Sequence, residues 1–273
     1  ISLGGSESQL DTYKGASEVG DDEWVMLFEA CKSVGVKFLA TPFDLEAVDL
    51  LEDIGVEAFK IASGDITYRE LYERIAKTGK RVFFSTGAAS MGEIRSARAW
   101  LHRVPAVALG CDLVYPCPAQ GANVISNLAN LVGVTSIIGY SDHTREIVTG
   151  AIAVAHGARI LEKHVTLDPD GSNPDDRLAL SVDQARQYLE LAQDALTLCA
   201  PVDGDPQSEA RIGARRSAYA VYSLPAGHVL RAEDIAWLRP APPGSISPNH
   251  NLAGRLLAHS VSEGERITHD VLA

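Results

Sequence analysis

Several things are scarce in this 273-residue chain, and each scarcity removes a class of protein. No apolar run approaches the roughly 18–20 residues of a membrane span. Residues 1–24 are polar and glycine-rich, with no basic start and no apolar centre, so no secretory leader is expected. The sequence opens on Ile1 rather than methionine, and translation need not begin there. The four cysteines (Cys31, Cys111, Cys117 and Cys199) have no C-x-x-C spacing, which suits reduced thiols in a cytoplasmic protein. Basic residues are outnumbered 24 to 36, giving a net charge of −12. An acidic body of this kind argues against a nucleic-acid partner or an anionic membrane. An anionic substrate would have to be held by local donors, because the global field repels it.

What is abundant is alternation. Short apolar runs recur at 36–41 (VKFLAT), 57–63 (EAFKIAS), 80–86 (KRVFFST), 105–111 (PAVALGC), 135–141 (TSIIGYS) and 158–164 (ARILEKH). Their length, β-branched content and flanking turn residues predict strands. Helical patterns lie between them: 45–55 ends on a C-cap glycine, 67–79 opens with T-x-x-E, 90–101 opens with S-x-x-E, and 145–157 is small and apolar. Strict alternation predicts a parallel sheet in an α/β fold.

Six strands are visible. Each ends in polar residues: Thr41, Lys60 with Ser63, Ser85 with Thr86, Cys111 with Asp112, Ser141 with His143, and His164. A doubly wound sheet concentrates its site at one crevice, whereas a (β/α)8 barrel draws on the carboxyl ends of all its strands. The spread of polar strand ends favours a barrel, lacking its first two strand–helix units. A helix over 181–199 closes the alternation. The Pro-, Gly- and charge-rich stretch 200–214 reads as a linker. A turn-rich segment of about 60 residues follows and is large enough for a small second domain. Residues 211–273 carry seven basic and five acidic side chains, against the acidic excess of the rest.

The polar strand ends leave several chemistries open. Ser141, Asp142 and His143 are adjacent, so they cannot converge as a catalytic triad, and no G-x-S-x-G elbow is present. His143 and His164 end consecutive strands and could approach one divalent metal such as Mn2+, Fe2+, Co2+ or Zn2+. Unrelated surface histidines are the plainer reading. Glu162 shares the strand face of His164 by period 2. Lys60 sits mid-strand, either snorkelling to solvent, meeting an anion, or forming a Schiff base. Ser63, Ser85, Thr86 and Ser141 could donate to a phosphate.

Taken in order, the motifs ATPFD, FKIASGDI, FFSTGAAS, YPCP, GYSDHT and EKHVTLD resemble those of the sialic acid (N-acetylneuraminate) synthase family, with its spore-coat, legionaminic and pseudaminic acid relatives. The tail RRSAYA…AGHVLRAEDIAWLRPAPPGSISP resembles the family's antifreeze-like, or SAF, domain. The resemblance implies a TIM-type barrel over 1–200, a linker over 201–214 and an SAF domain over 215–273. It implies condensation of phosphoenolpyruvate with an N-acylated hexosamine, such as N-acetylmannosamine, to a nine-carbon 2-keto acid with release of phosphate. A catalytically impaired relative that binds sugar or protein is the alternative.

By position, His143 and His164 would hold a divalent ion, Mn2+ first, with Mg2+ or Co2+ as alternatives. Lys60, Glu162 and Tyr115 would be catalytic. Thr41, Lys60, Ser63, Ser85 and Ser141 would surround phosphoenolpyruvate, Asp65 and Asp175 would face the sugar with Tyr115, and Phe43 would also bind substrate. Arg239 would reach the active site of a partner subunit in a homodimer. The motif usually read H-C-T-[SN]-x-Y-P is here GCDLVYP, which introduces a charge at Asp112, and SNPD (172–175) stands for P-G-P-D. No Schiff base is needed for this chemistry.

Overall fold

The computed structural model describes residues 19–171 and 175–273. The chain divides into two compact units between Ala200 and Pro201.

In the first unit, a five-stranded parallel sheet runs in sequence order: β1 (Ala58–Ile61), β2 (Arg81–Ser85), β3 (Ala106–Cys111), β4 (Ile138–Asp142) and β5 (Ala158–Lys163). Between them lie α3 (Arg69–Lys77), α4 (Met91–Trp100), α5 (Val124–Leu131) and α6 (Thr149–Ala155), preceded by α1 (Asp21–Ser33) and α2 (Leu45–Ile54). Beyond β5, the short parallel pair β6 (Val165–Thr166) and β7 (Leu180–Ser181) leads into α7 (Val182–Leu198). This is the α/β barrel class expected from the alternation.

Period 2 sorts each strand into two faces. Phe59, Ile61, Val82, Phe84, Ala108 and Tyr140 are buried in the core that the helices share. The other face carries Lys60, Phe83, Ser85, Leu109, Cys111, Ser141 and Glu162, related across the sheet by the pairs Lys60–Phe83, Ser85–Leu109, Cys111–Ser141 and Ser141–Glu162. Four strand spacings put β1 about 19 Å from β5 in a flat sheet. Yet Lys60 Nζ on β1 lies 3.5 Å from Glu162 Oε2 on β5. The sheet is therefore strongly curved, and its second face is the inside of the curve.

Local signals explain most helix ends. Ser90 and Glu93 form the expected capping box on α4, and Ser181 with Gln184 forms another on α7. Gly55 closes α2 at φ 93°, a left-handed conformation that favours glycine. Four expectations need correction. Residues 36–41 form no strand; Ala40 O accepts from Lys60 N at 3.1 Å, and Phe38 packs edge-on against Trp24 and Phe28 of α1. The T-x-x-E at 67–70 is not a capping box, because Tyr68 is the N-cap and makes no side-chain cap bond. The helix expected over 145–157 is regular only over 149–155, after a turn stabilised by Asp142 and Thr144. Residues 208–214, inside the expected linker, form helix α8.

The second unit pairs β8 (Ser217–Ala220) with β9 (Ile235–Leu238) in antiparallel fashion, supplemented by single bridges such as Leu224–Val261. Leu230, Ile246, Leu252, Leu257 and Ile267 form its apolar core. Gly227 and Gly264, within AGHVL and EGERI, both take positive φ at turns.

Candidate active site

The carboxyl ends of the curved strands open into a cavity of about 290 Å3. Ten of the thirteen residues singled out from sequence line it. Thr41 and Phe43 come from the extended segment before α2, Lys60 and Ser63 from the end of β1, and Ser85 from β2. Tyr115 follows β3, Ser141 and His143 end β4, and Glu162 and His164 end β5. Ala62 and Lys163 also contribute.

One end of the cavity is a short polar chain. Ser141 Oγ donates to Glu162 Oε1 at 2.6 Å, and Lys60 Nζ lies against Oε2 while donating to Ile61 O at 3.0 Å. Lys60 is 7% exposed, so its charge is buried and paired rather than snorkelling to solvent. Ser63 Oγ accepts from Gly87 N at 3.0 Å and faces Cys111 Sγ at 3.7 Å. A Cβ on Gly87 would meet Ser63 Oγ, Cys111 Sγ and Leu113 at 3.0–3.1 Å, so the tight turn after β2 fits glycine. Burial pushes the Cys111 thiol up to about 11, so it stays protonated at neutral pH. Ser85 Oγ is buried with no hydrogen-bond partner in the described structure. A buried hydroxyl left unpaired is costly unless a ligand satisfies it.

The other end is aromatic. The His143 and His164 ring centroids are 5.5 Å apart, with Tyr115 stacked on His143 at 4.1 Å. His143 Nδ1 lies 2.9 Å from the backbone oxygen of Asp112, and His164 Nδ1 lies 3.2 Å from Asp175 Oδ2. Each ring thus has an acceptor at Nδ1, which assigns that nitrogen the proton and leaves Nε2 as the free lone pair. Desolvation lowers the His143 pKa against the opposing pull of the Asp112 hydrogen bond, which favours the neutral ring. Neutral imidazoles held through Nδ1 are what metal ligation needs. Among the described residues, no cluster of three or more His, Cys, Asp or Glu side chains is placed to hold an ion. The donor set an ion would meet from the described residues is the two imidazoles alone.

Three expected residues lie outside the lining. Asp65, in the turn after β1, is half-buried; desolvation raises its carboxyl pKa against the pull of Lys60. Asp175 reaches the site through His164, whose hydrogen bond lowers the carboxyl pKa; residues 172–174 before it lie outside the described structure. Arg239 follows β9 in the second unit. The charge at Asp112 does not enter the cavity: Oδ2 accepts from Asn127 of α5 at 2.7 Å. Sequence reasoning assigned no role to the backbone oxygen of Asp112 or to the Lys163–Asp142 pair behind the histidines.

Comparison with known proteins matches residues 2–199 to the NeuB family and residues 215–273 to the SAF domain. The chain belongs to the NeuB family. It is 33% identical over 248 residues to an N,N'-diacetyllegionaminic acid synthase of Campylobacter jejuni, covering 86% of this chain and 73% of that protein. The crystal structure of an N-acetylneuraminic acid synthetase from Leptospira borgpetersenii, in complex with citrate, aligns with TM-score 0.66 at 32% identity, covering 70% and 67% of the two chains. A candidate spore coat polysaccharide biosynthesis protein E from Chromobacterium violaceum aligns with TM-score 0.79 at 27% identity, covering 99% and 83%. NeuB membership and the SAF match agree with the family read from the motif series. No helix among the described residues is long and apolar enough to cross a membrane.

Proposed function

We propose that this NeuB-family chain is a nonulosonic acid synthase that condenses phosphoenolpyruvate with an N-acylated hexosamine to a nine-carbon 2-keto acid, releasing phosphate. One observation carries the reading. A single cavity holds a buried cation and an unpartnered hydroxyl at one end, Lys60 and Ser85, and two Nε2 lone pairs at the other. The first pair suits a small multiply charged anion, and the second suits a divalent ion beside an aldehyde.

Lys60, Ser63, Ser85 and Ser141 bind the carboxylate and phosphate oxygens, and burial strengthens each contact. Thr41 and Phe43 close the side of the pocket, while Asp65 and Asp175 face the sugar. Tyr115 holds the aldehyde end over His143. His143 and His164 hold the ion, Mn2+ first, through Nε2, and the chemistry it supplies when bound is polarisation of the aldehyde oxygen. C3 of phosphoenolpyruvate bonds to the aldehyde carbon, and that oxygen takes a proton. C2 becomes electron-poor, and water adds there while Glu162 accepts its proton. Glu162 is placed for this by its bonds to Ser141 and Lys60. The bond from C2 to the phosphate oxygen then breaks as the C2 hydroxyl gives its proton to the departing phosphate, leaving the 2-keto group and inorganic phosphate.

Arg239 completes the site of a partner copy in a homodimer. The test is phosphate release with phosphoenolpyruvate and a panel of N-acylated hexosamines, with Mn2+ and then with chelator. Release that needs both substrates and the ion supports the reading; no release with any sugar overturns it. Mixing His143→Ala with Arg239→Ala subunits should restore part of the activity that each variant lacks alone. No restoration would remove the cross-subunit role.

A further inference from the structure

The pairing of β4 with β5 is not uniform. Ile138 faces Ala158, but Gly139 faces Ile160, so one residue of β5 is skipped at a bulge. A Cβ on Gly139 would come within 2.5 Å of Leu109 Cδ2 and 2.6 Å of Ile160 O, so only glycine fits beside the bulge. The register at the carboxyl ends, where both site histidines emerge, is therefore not inherited from the start of the pair. A slip of one residue would turn an imidazole to the opposite face.

Directly behind the histidines, Asp142 and Lys163, the latter also lining the cavity, sit opposite one another with Nζ 3.0 Å from Oδ2. Their side chains are 0% and 7% exposed. Asp142 Oδ1 also accepts from Thr144 N and Thr144 Oγ1 at 2.9 and 2.8 Å, and Lys163 Nζ donates to Thr144 O. Thr144 Oγ1 meets Thr149 Oγ1 of α6 at 3.0 Å, and the Lys163 ammonium lies 5.6 Å from the Tyr188 ring centroid on α7. A buried ion pair of this kind is a weak source of stability, since an apolar pair of similar volume serves as well or better. Oδ2 makes no aligned hydrogen bond, so what the pair supplies is charge matching: one opposite charge on each strand, one residue before each histidine.

We propose that the Asp142–Lys163 pair is a register lock, which re-fixes β4 against β5 after the bulge and so sets His143 opposite His164. Both are positioning residues, not catalytic ones. The inference rests on the proposed ion site only for its consequence, because the ring geometry can be read without any ion.

The test compares Asp142→Asn/Lys163→Met, which removes both charges at similar volume, with Lys163→Arg, which keeps the pair charged. In the full chain without metal, NMR reads the imidazole 15N shifts and the contact between the two rings; calorimetry reads Mn2+ binding. The double variant is expected to fold, to lose the His143–His164 ring contact, and to bind Mn2+ about 10–100-fold more weakly, the usual effect of groups that orient ligands. Lys163→Arg is expected to retain the contact and most of the affinity. A double variant with unchanged ring contact and Mn2+ affinity overturns the lock. So does an Arg variant that loses the ring contact as completely as the double variant; if the double variant does not fold, the Arg variant decides alone by whether it keeps the contact. Absence of Mn2+ binding in the unaltered protein would instead overturn the ion site, and the ring contact would still decide the lock.

Discussion

The two units bury polar groups very differently. In the small unit, Ser217 and Asp234 are the buried polar side chains among the described residues, around an otherwise apolar core. In the large unit, Lys60, Ser63, Ser85, Thr86, Ser141, Asp142, His143 and Thr144 are buried at or beyond the carboxyl ends of parallel strands, and Thr135, Thr149 and Asp176 are buried elsewhere. Burying such groups costs free energy, so their concentration at one end of one sheet marks where structure serves chemistry rather than stability. In an acidic chain, the buried cation Lys60 is the sharpest of these signals.

The largest effect should come from the heart of that contrast. His143→Ala should lower activity roughly a thousandfold, as expected when several kcal/mol of charge stabilisation is withdrawn. It should also abolish Mn2+ binding by calorimetry, and unchanged binding would separate the histidines from the ion. Next, Glu162→Gln should reduce kcat by about 10²–10⁴, the range for a general base, with little change in KM. A comparable rise in KM instead would make Glu162 a binding group.

The apolar core of the small unit should answer to stability alone. Ile267→Ala, in its apolar core, should cost about 2–5 kcal/mol by denaturant titration while Mn2+ binding in the large unit persists. Loss of that binding would show the stabilities of the two units to be coupled. The smallest effect concerns acid. The His228 hydrogen bond, followed by the Arg231 N–H, holds the Asp234 carboxyl below its ordinary range. Its contribution is fully present above the unfolded carboxylate value of about 3.9 and is lost as pH falls through the folded value. Asp234→Asn should therefore lower the small unit's stability at neutral pH and flatten the acid end of its profile, the two proteins converging as pH falls. A full acid dependence in that variant would assign the effect to other carboxylates.

The sequence made legible what repeats or has a rigid spacing. Strand positions from β1 to β5, the Ser90 and Ser181 caps and the Gly55 stop follow from local chemistry, and period 2 put Glu162 on the face of His164. Residues 36–41 misled because an apolar run reports burial, whereas strand character needs a ladder; here only one backbone bond to β1 is made. The helix over 208–214 was hidden by Pro and Gly nearby. At the site, side-chain identities were readable, but the groups that aim them were not. The Asp112 carbonyl has no sequence signature, and Asp142 and Lys163 look like ordinary surface charges until the register places them behind the histidines.

The most direct test of the synthase reading follows one oxygen. Phosphoenolpyruvate labelled with 18O at the bridge between C2 and phosphorus would be incubated with the Mn2+-loaded protein and N-acylated hexosamines. The account predicts a nine-carbon 2-keto acid and inorganic phosphate that carries the label, because the C2–O bond breaks. Unlabelled phosphate, or phosphate released without the keto acid, would contradict it.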